Sequence, residues 1–267
     1  MGSREGRMEE ASKIFDMMLK LRKEPDICTY ISIIYGLCLT GKLEEAHELF
    51  DLMEDKGVKQ DVCSFTMLIN GYRKRSGLDE ANQLFKKMQN KGLKPNQVTY
   101  STLIDGLCKA GKVRMALSLF TEMRSYGVSP NIVTYNALVN GLCKAGNIEE
   151  ARQLFSEIPD KGLVADVVTY TTMINGMCKK GMFVEAEKLI NEMKNKGCTP
   201  DATTYGTIIK GHLEKGHFEG GNVTKALEFF KEMRIRKLSL NNATKSLLIK
   251  SLSADQLKNL DFPVRLP

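Results

Sequence analysis

The sequence predicts an all-α solenoid of tandem 35-residue helix-turn-helix units, and three observations predict it. First, "NIVTYNALVNGLCKAGNIEEARQLFSEI" at 131–158 nearly repeats "NQVTYSTLIDGLCKAGKVRMALSLFTEM", which starts 35 residues earlier. Second, four residue types recur in parallel at that period. They are Ala11, Ala46, Ala81, Ala116, Ala151 and Ala186; Phe15, Phe50, Phe85, Phe120 and Phe155, continued by Ile190; Tyr30, Phe65, Tyr100, Tyr135, Tyr170 and Tyr205; and Gly57, Gly92, Gly127, Gly162 and Gly197. Third, the apolar residues inside each period keep helical spacing, with glycines where the helical stretches stop.

The chain opens on a half unit, 1–26, in which "GRMEEASKIFDMMLKLRKEPD" has the pattern of a second helix without a first. Six units follow at 27–61, 62–96, 97–131, 132–166, 167–201 and 202–241. In the fourth, Tyr135, Leu138, Val139, Leu142 and Cys143 form one apolar helical stripe. Gly146 ends that helix as a C′ glycine. Ile148, Ala151, Leu154, Phe155 and Ile158 line the second helix, and Gly162 closes it. The recurring alanine marks the helix crossing, because a larger side chain would hold the backbones apart. One hairpin cannot bury its own apolar faces, whereas stacked neighbours can. The sixth unit carries an insertion, "HFEGG", at 217–221. From Asn242, "NATKSLLIKSL" has the pattern of a first helix with Lys245 in place of the tyrosine. Residues 242–267 are therefore expected to cap the stack, with "SADQLKNL" over its end and a loose "DFPVRLP" tail.

Composition excludes several classes. The 267 residues are 42% hydrophobic and 27% charged, an ordinary globular balance. No apolar run approaches the roughly 18 residues of a spanning helix, so no membrane partner is expected. Gly6 stands where a myristoylation signal wants Ser or Thr, and the first residues do not have a signal-peptide pattern. Seven cysteines without a secretory signal point to reduced thiols. The chain starts inside a repeat without an Arg- and Ser-rich leader, so it reads as a fragment or truncated copy.

No catalytic residues, metal or cofactor are expected. Cys38, Cys108, Cys143 and Cys178 share one repeat position, a turn before the end of the first helix, and read as core. His47, His212 and His217 belong to no ligand motif, and the zinc-deaminase pairing of H-x-E with P-C-x-x-C is absent. Phosphate loops and Ser–His–Asp candidates are absent too. Glu44–Glu45 and Glu149–Glu150 open second helices, where acids favour the dipole and face solvent.

The 35-residue spacing with "VTYNALVNGLCKAG" and "EEARQLF" resembles the P-class pentatricopeptide-repeat family over nearly the whole chain. The "GLCKAG" flavour resembles its plant restorer-of-fertility-like branch. The resemblance implies a right-handed superhelix with first helices on the concave face. It also implies binding of single-stranded RNA, one base per repeat, in RNA processing or stability in a plant organelle, the mitochondrion before the chloroplast. A tetratricopeptide-like peptide-binding scaffold is the alternative, but those units run 34 residues with an early Trp, and this chain has none.

Charge and variability fit the resemblance. The first fifteen residues of the six units hold nine basic residues: Arg73, Lys74, Arg75, Lys109, Lys144, Lys179, Lys180, Lys210 and Lys215. They hold two acidic ones, Asp105 and Glu214, so their surplus equals the +7 of the whole chain. A positive groove suits a phosphate backbone, and Lys74, Lys109, Lys144 and Lys179, at the thirteenth position, are expected to contact it. Lysines near helix C-termini also suit the dipole, which explains one per unit but not the scarcity of acids. The fifth and last residues of each unit change while the frame stays fixed, and they have no evident packing role. These pairs are Ile31/Asp61, Thr66/Asn96, Ser101/Asn131, Asn136/Asp166, Thr171/Asp201 and Gly206/Asn241.

Such polar variation suits a readout surface, although Asn and Asp are also good N-caps. An ionised Asp only accepts, which suits the N3–H of uracil or N1–H of guanine; Asn can donate to the N1 of adenine or N3 of cytosine. A short Thr or Ser leaves room for a purine, and Asn suits a pyrimidine. The family's rules imply A, A, U and G for the second to fifth pairs, a core of 5′-AAUG-3′, with no base for the first and sixth. By resemblance, the second residues sandwich the bases: Cys28, Cys63, Val98, Val133, Val168 and Thr203.

Overall fold

The structure, a computed structural model, describes residues 4–215 and 222–252. The insertion at 217–221 and the segments after residue 252 lie outside the described residues. The described chain is all-α, with no strand among the described residues. A lone helix, α1 (Arg4–Lys20), is followed by hairpins α2 (Ile27–Thr40)/α3 (Leu43–Asp55), α4 (Val62–Lys74)/α5 (Leu78–Asn90) and α6 (Gln97–Lys109)/α7 (Val113–Ser125). Next come α8 (Ile132–Ala145)/α9 (Ile148–Asp160), α10 (Val167–Lys180)/α11 (Phe183–Asn195), α12 (Ala202–Lys215)/α13 (Asn222–Ile235) and a single α14 (Asn242–Ser251). None of these helices is long and apolar enough to cross a membrane.

The chain divides into two compact units, 1–137 and 138–267, with the boundary inside α8. In the first unit, α2, α4 and α6 pack in succession, each against its own second helix. In the second, α10, α12 and α14 pack in succession, with α10 and α12 each against its own second helix. Within each unit, second helices of consecutive repeats stay further apart than first helices, so the first helices form the tighter layer. This is an all-α repeat solenoid, each hairpin burying its faces against its neighbours.

Sequence explains the layering. The recurring alanines Ala46, Ala81, Ala116, Ala151 and Ala186 are fully buried. Ala226 and Phe230 continue the Ala and Phe series beyond the insertion. The recurring aromatics join one repeat to the next edge-to-face: Phe50 on Phe65 at 4.8 Å, Phe85 on Tyr100 at 5.5 Å and Phe155 on Tyr170 at 5.2 Å between ring centroids. The buried tyrosines need a partner for their hydroxyls. Tyr100, Tyr170 and Tyr205 donate to Glu122, Glu192 and Glu232 of their own second helices. Tyr30 has none, because Leu52 takes the glutamate's place. Where the aromatic is Phe65, lacking a hydroxyl, the same position holds Lys87. Gly146 ends α8 at φ 80°, with Asn147 N–H reaching back to the Leu142 carbonyl, a left-handed turn that favours glycine.

Candidate nucleic-acid interface

The last residue of each repeat caps the next first helix. Asp26, Asp61, Asn96, Asn131, Asp166, Asp201 and Asn241 each accept, on Oδ1, the backbone N–H three residues on, at 2.8–3.0 Å. Asp61, Asn96 and Asp166 form reciprocal capping boxes with Ser64, Thr99 and Thr169. Capping therefore occupies one side-chain oxygen of every one of these residues.

The fifth residues do have a structural role, contrary to the expectation from sequence. Thr66 Oγ1 lies 2.7 Å from Thr99 Oγ1, Ser101 Oγ 2.7 Å from Thr134 Oγ1, and Thr171 Oγ1 2.7 Å from Thr204 Oγ1. Each of these third-position threonines also places its hydroxyl 3.0–3.1 Å from the capping Oδ1. The fifth and last residues of one repeat are thus joined through a buried threonine of the next. An amide oxygen or carboxylate only accepts, so the threonine's single proton goes to it. At Ser101 and Thr171 the fifth hydroxyl is then the donor to the threonine, whereas the single proton of Thr66 is shared between Thr99 and the Val62 carbonyl, which it also meets at 2.7 Å. Burial follows: Thr66 and Ser101 are each only 7% exposed.

The other pairs differ. Ile31 is half-buried and has no hydroxyl to join such a chain, and Gly206 is buried beneath Leu240 and Thr244. Asn136 is half-buried on α8, while Asp166 caps α10 and is exposed.

The second residues all face solvent. Cys28, Cys63 and Thr203 are exposed, and Val98, Val133 and Val168 are 57%, 57% and 60% exposed. One exposed valine means little. The same exposure at one repeat position, beside an exposed or half-buried polar cap, places an apolar-and-polar patch at the N-terminus of each of these first helices. Positions two, five, nine and thirteen fall within one face of a 3.6-residue helix. The thirteenth residues Lys74, Lys109, Lys144 and Lys179 are accordingly exposed at the other end of that face. Lys109 is tied to Asp105 at 2.8 Å, and Asp105 also holds Arg73 at 2.5 Å. Lys74, Lys144 and Lys179 have no carboxylate partner among the described residues.

Sequence reasoning missed the third residues Thr29, Ser64, Thr99, Thr134, Thr169, Thr204 and Thr244. Their signal was present as Asp/Asn-x-x-Thr/Ser at every repeat junction. It also missed the helical glycines. A Cβ on Gly71, Gly176 or Gly211 would meet Cys38, Cys143 or Cys178 of the preceding repeat at under 3 Å. These cysteines are buried thiols filling the space left by glycine. Burial pushes Cys38 up to about 11, and Cys143 and Cys178 to about 12. No metal-competent cluster of His, Cys, Asp and Glu occurs among the described residues. His47 instead bonds Tyr72 at 2.7 Å, and His212 is stacked between Phe183 and Phe229.

Comparison with known proteins extends this picture. Residues 25–74, 60–109, 101–144, 130–179 and 165–214 match the model of the PPR repeat family, and 3–22 and 215–238 match a PPR repeat model. A search of curated proteins finds no match. Among solved structures, the pentatricopeptide repeat protein PPR10 from maize is 24% identical over 92% of this chain, with a TM-score of 0.66. The chain spans 39% of that protein's length. PPR10 has also been solved in complex with an 18-nt psaJ RNA element, at 23% identity over 96% of this chain and 40% of that one, TM-score 0.56. The PPR domain of Arabidopsis thaliana protein-only RNase P 1, in complex with tRNA, is 17% identical over 67% of this chain and 94% of that one, TM-score 0.58. A tetratricopeptide repeat protein from Parabacteroides merdae is 16% identical over 94% of this chain and 99% of that one, TM-score 0.52. The structural likenesses establish the helical-hairpin solenoid, and the family model, matched from residue 25 to 214, establishes more: the chain belongs to the pentatricopeptide repeat family.

Proposed function

We propose that the chain binds single-stranded RNA through the exposed face of its first helices and has no catalytic activity of its own. One observation carries this reading: at each repeat junction an exposed second residue stands beside a polar capping residue, and in the second to fifth repeats a basic thirteenth residue lies on the same helix face. A sequence-tolerant apolar surface, a polar edge and a positive track are what a splayed-out strand requires. The solved complexes of PPR10 with an RNA element and of the RNase P domain with tRNA support it.

The finer reading is one base per repeat. Thr66/Asn96, Ser101/Asn131, Asn136/Asp166 and Thr171/Asp201 read 5′-AAUG-3′. Cys28, Cys63, Val98, Val133, Val168 and Thr203 flank the bases, and Lys74, Lys144 and Lys179 meet phosphates. The target is an organelle transcript, mitochondrial by the likeness to the restorer-of-fertility-like branch, which the protein shields or presents for processing. The direct test is a gel shift with AAUG-containing RNA in competition with permuted RNA and with double-stranded RNA. Preferential loss of the complex to AAUG competitor is expected; a chain that shifts no RNA but captures peptides would be a scaffold instead. RNA crosslinked in the native organelle and sequenced would identify the transcript.

A further inference from the structure

We propose that Thr99, the third residue of the repeat that follows Thr66/Asn96, is a positioning residue for specificity: it determines which polar atom of Asn96 is left to face a base. The inference rests on the base-reading role of the last residues proposed above. Thr99 is fully buried, so it touches no ligand itself. Its backbone N–H lies 3.0 Å from Asn96 Oδ1 and its hydroxyl 3.1 Å from the same atom. A backbone N–H can only donate, so the atom that faces it must be the carboxamide oxygen. The hydroxyl adds a second donor to that oxygen. With Oδ1 held twice, the exposed part of Asn96 is its Nδ2, which only donates.

The same geometry recurs at Asn131, where Thr134 supplies both donors at 3.0 Å, and at Asp201, where Thr204 supplies them at 2.8 and 3.0 Å. An aspartate so held leaves its second oxygen, which only accepts. The cap therefore turns the last residue into a two-valued element: asparagine offers donors alone, aspartate acceptors alone. Without the hydroxyl, a single donor restrains the carboxamide. A rotated Asn96 would then present an acceptor too, and adenine would lose its advantage over guanine. Aspartate has no such ambiguity, because its two oxygens are equivalent. Loss of the threonine hydroxyl should therefore relax readout at asparagine repeats and spare it at aspartate repeats, an asymmetry that a purely structural role would not produce.

The experiment compares the full chain with Thr99→Val, Thr99→Ser and Thr204→Val, binding RNAs that carry AAUG, GAUG or AAUA in identical flanks. Circular dichroism and the unfolding midpoint confirm that each variant is folded. Wild type should prefer A over G at the first base by about tenfold. Thr99→Val should cut that ratio by about threefold, the usual worth of one neutral hydrogen bond. Thr99→Ser should restore it, as Ser64 already fills the equivalent place. Thr204→Val should leave the preference at the fourth base intact. An unchanged ratio in Thr99→Val, or equal losses in Thr99→Val and Thr204→Val, would overturn the inference while leaving base reading in place. A wild type without preference at either base would overturn the base reading and this inference with it.

Discussion

The sulfur of Cys38 lies 2.5 Å from the place a Cβ on Gly71 would occupy, and the Cys38 Cβ lies 3.1 Å from it. Real Cβ atoms do not approach other atoms so closely, so the first helices of these two repeats meet only because residue 71 is glycine. Helical glycine costs about 1 kcal/mol against alanine in isolation, yet here it sets the inter-repeat spacing. Gly71→Ala should destabilise the protein by about 1–3 kcal/mol through overpacking. Cys38→Ala removes the sulfur but not the Cβ, so the double variant should recover part of that loss. Denaturant midpoints of the two single variants and the double variant test this; strictly additive losses would contradict the contact.

Among the described residues, three non-glycine residues adopt the left-handed conformation: Arg22, Ser76 and Lys237, at φ 50°, 64° and 56°. Ser76 stands where other repeats place Gly111, Gly146 and Gly181, and Lys237 where they place Gly57 and Gly92. An L-residue pays roughly 1–2 kcal/mol for that conformation. Ser76→Gly and Lys237→Gly should each stabilise by about 0.5–1 kcal/mol after the extra freedom of glycine in the unfolded chain is subtracted. Thermal unfolding of the variants is the check, and a fall in midpoint would refute the strain argument.

Thiol chemistry separates the two classes of cysteine. Cys28 and Cys63 are exposed, whereas Cys38, Cys143 and Cys178 are buried, with pKa values pushed up to about 11, 12 and 12. A thiol with a raised pKa holds almost no thiolate below pH 9, so alkylation at pH 8 should mark Cys28 and Cys63 and leave those three unmodified. Peptide mass spectrometry reads the outcome. Saturating AAUG-containing RNA should slow labelling at Cys63, which borders the first assigned base.

The fold class was legible because a 35-residue period in four residue types has no other economical explanation. What stayed hidden has physical causes. Gly71, Gly176 and Gly211 read as helix-weakening residues until the facing cysteines are seen. The alanine series seemed to end at Ala186 because the insertion displaces Ala226. The exposed second residues and the capping last residues could be placed from helix register alone. The bond from Thr66 to Thr99 spans 33 residues and depends on the spacing of two repeats, so no local pattern encodes it.

Phosphate contact predicts unequal lysines. Lys144 has no carboxylate partner among the described residues, while Lys109 shares Asp105 with Arg73. Lys144→Ala should weaken binding to all RNAs alike and reduce the salt slope by about one unit. Lys109→Ala should reduce it by less, because Lys109 is already partly neutralised. Titrations at four salt concentrations measure both slopes, and a larger change for Lys109 would reverse the assignment.

The sharpest prediction changes one atom group at Asp201. Its Oδ1 accepts from the backbone N–H and the hydroxyl of Thr204, at 2.8 and 3.0 Å, and Thr204 is bonded in turn to Thr171. That leaves Oδ2, an acceptor matched to the N1–H and N2–H edge of guanine. Asp201→Asn keeps the oxygen toward Thr204, because only an oxygen can face that N–H, and turns Nδ2 outward. The donor suits the bare N1 of adenine, and the pair becomes the one already present as Thr66/Asn96. Packing should barely change, since Asn and Asp are nearly isosteric and cap helices equally well. Preference at the fourth base should move from G toward A by about 1–3 kcal/mol, the usual worth of a good polar base contact. Preferences at the other bases should persist, because repeats act nearly independently. Binding of both proteins to AAUG and AAUA in identical flanks decides it: if the variant keeps the wild-type margin for AAUG, Asp201 touches no base, and the second oxygen left by the cap is merely solvated.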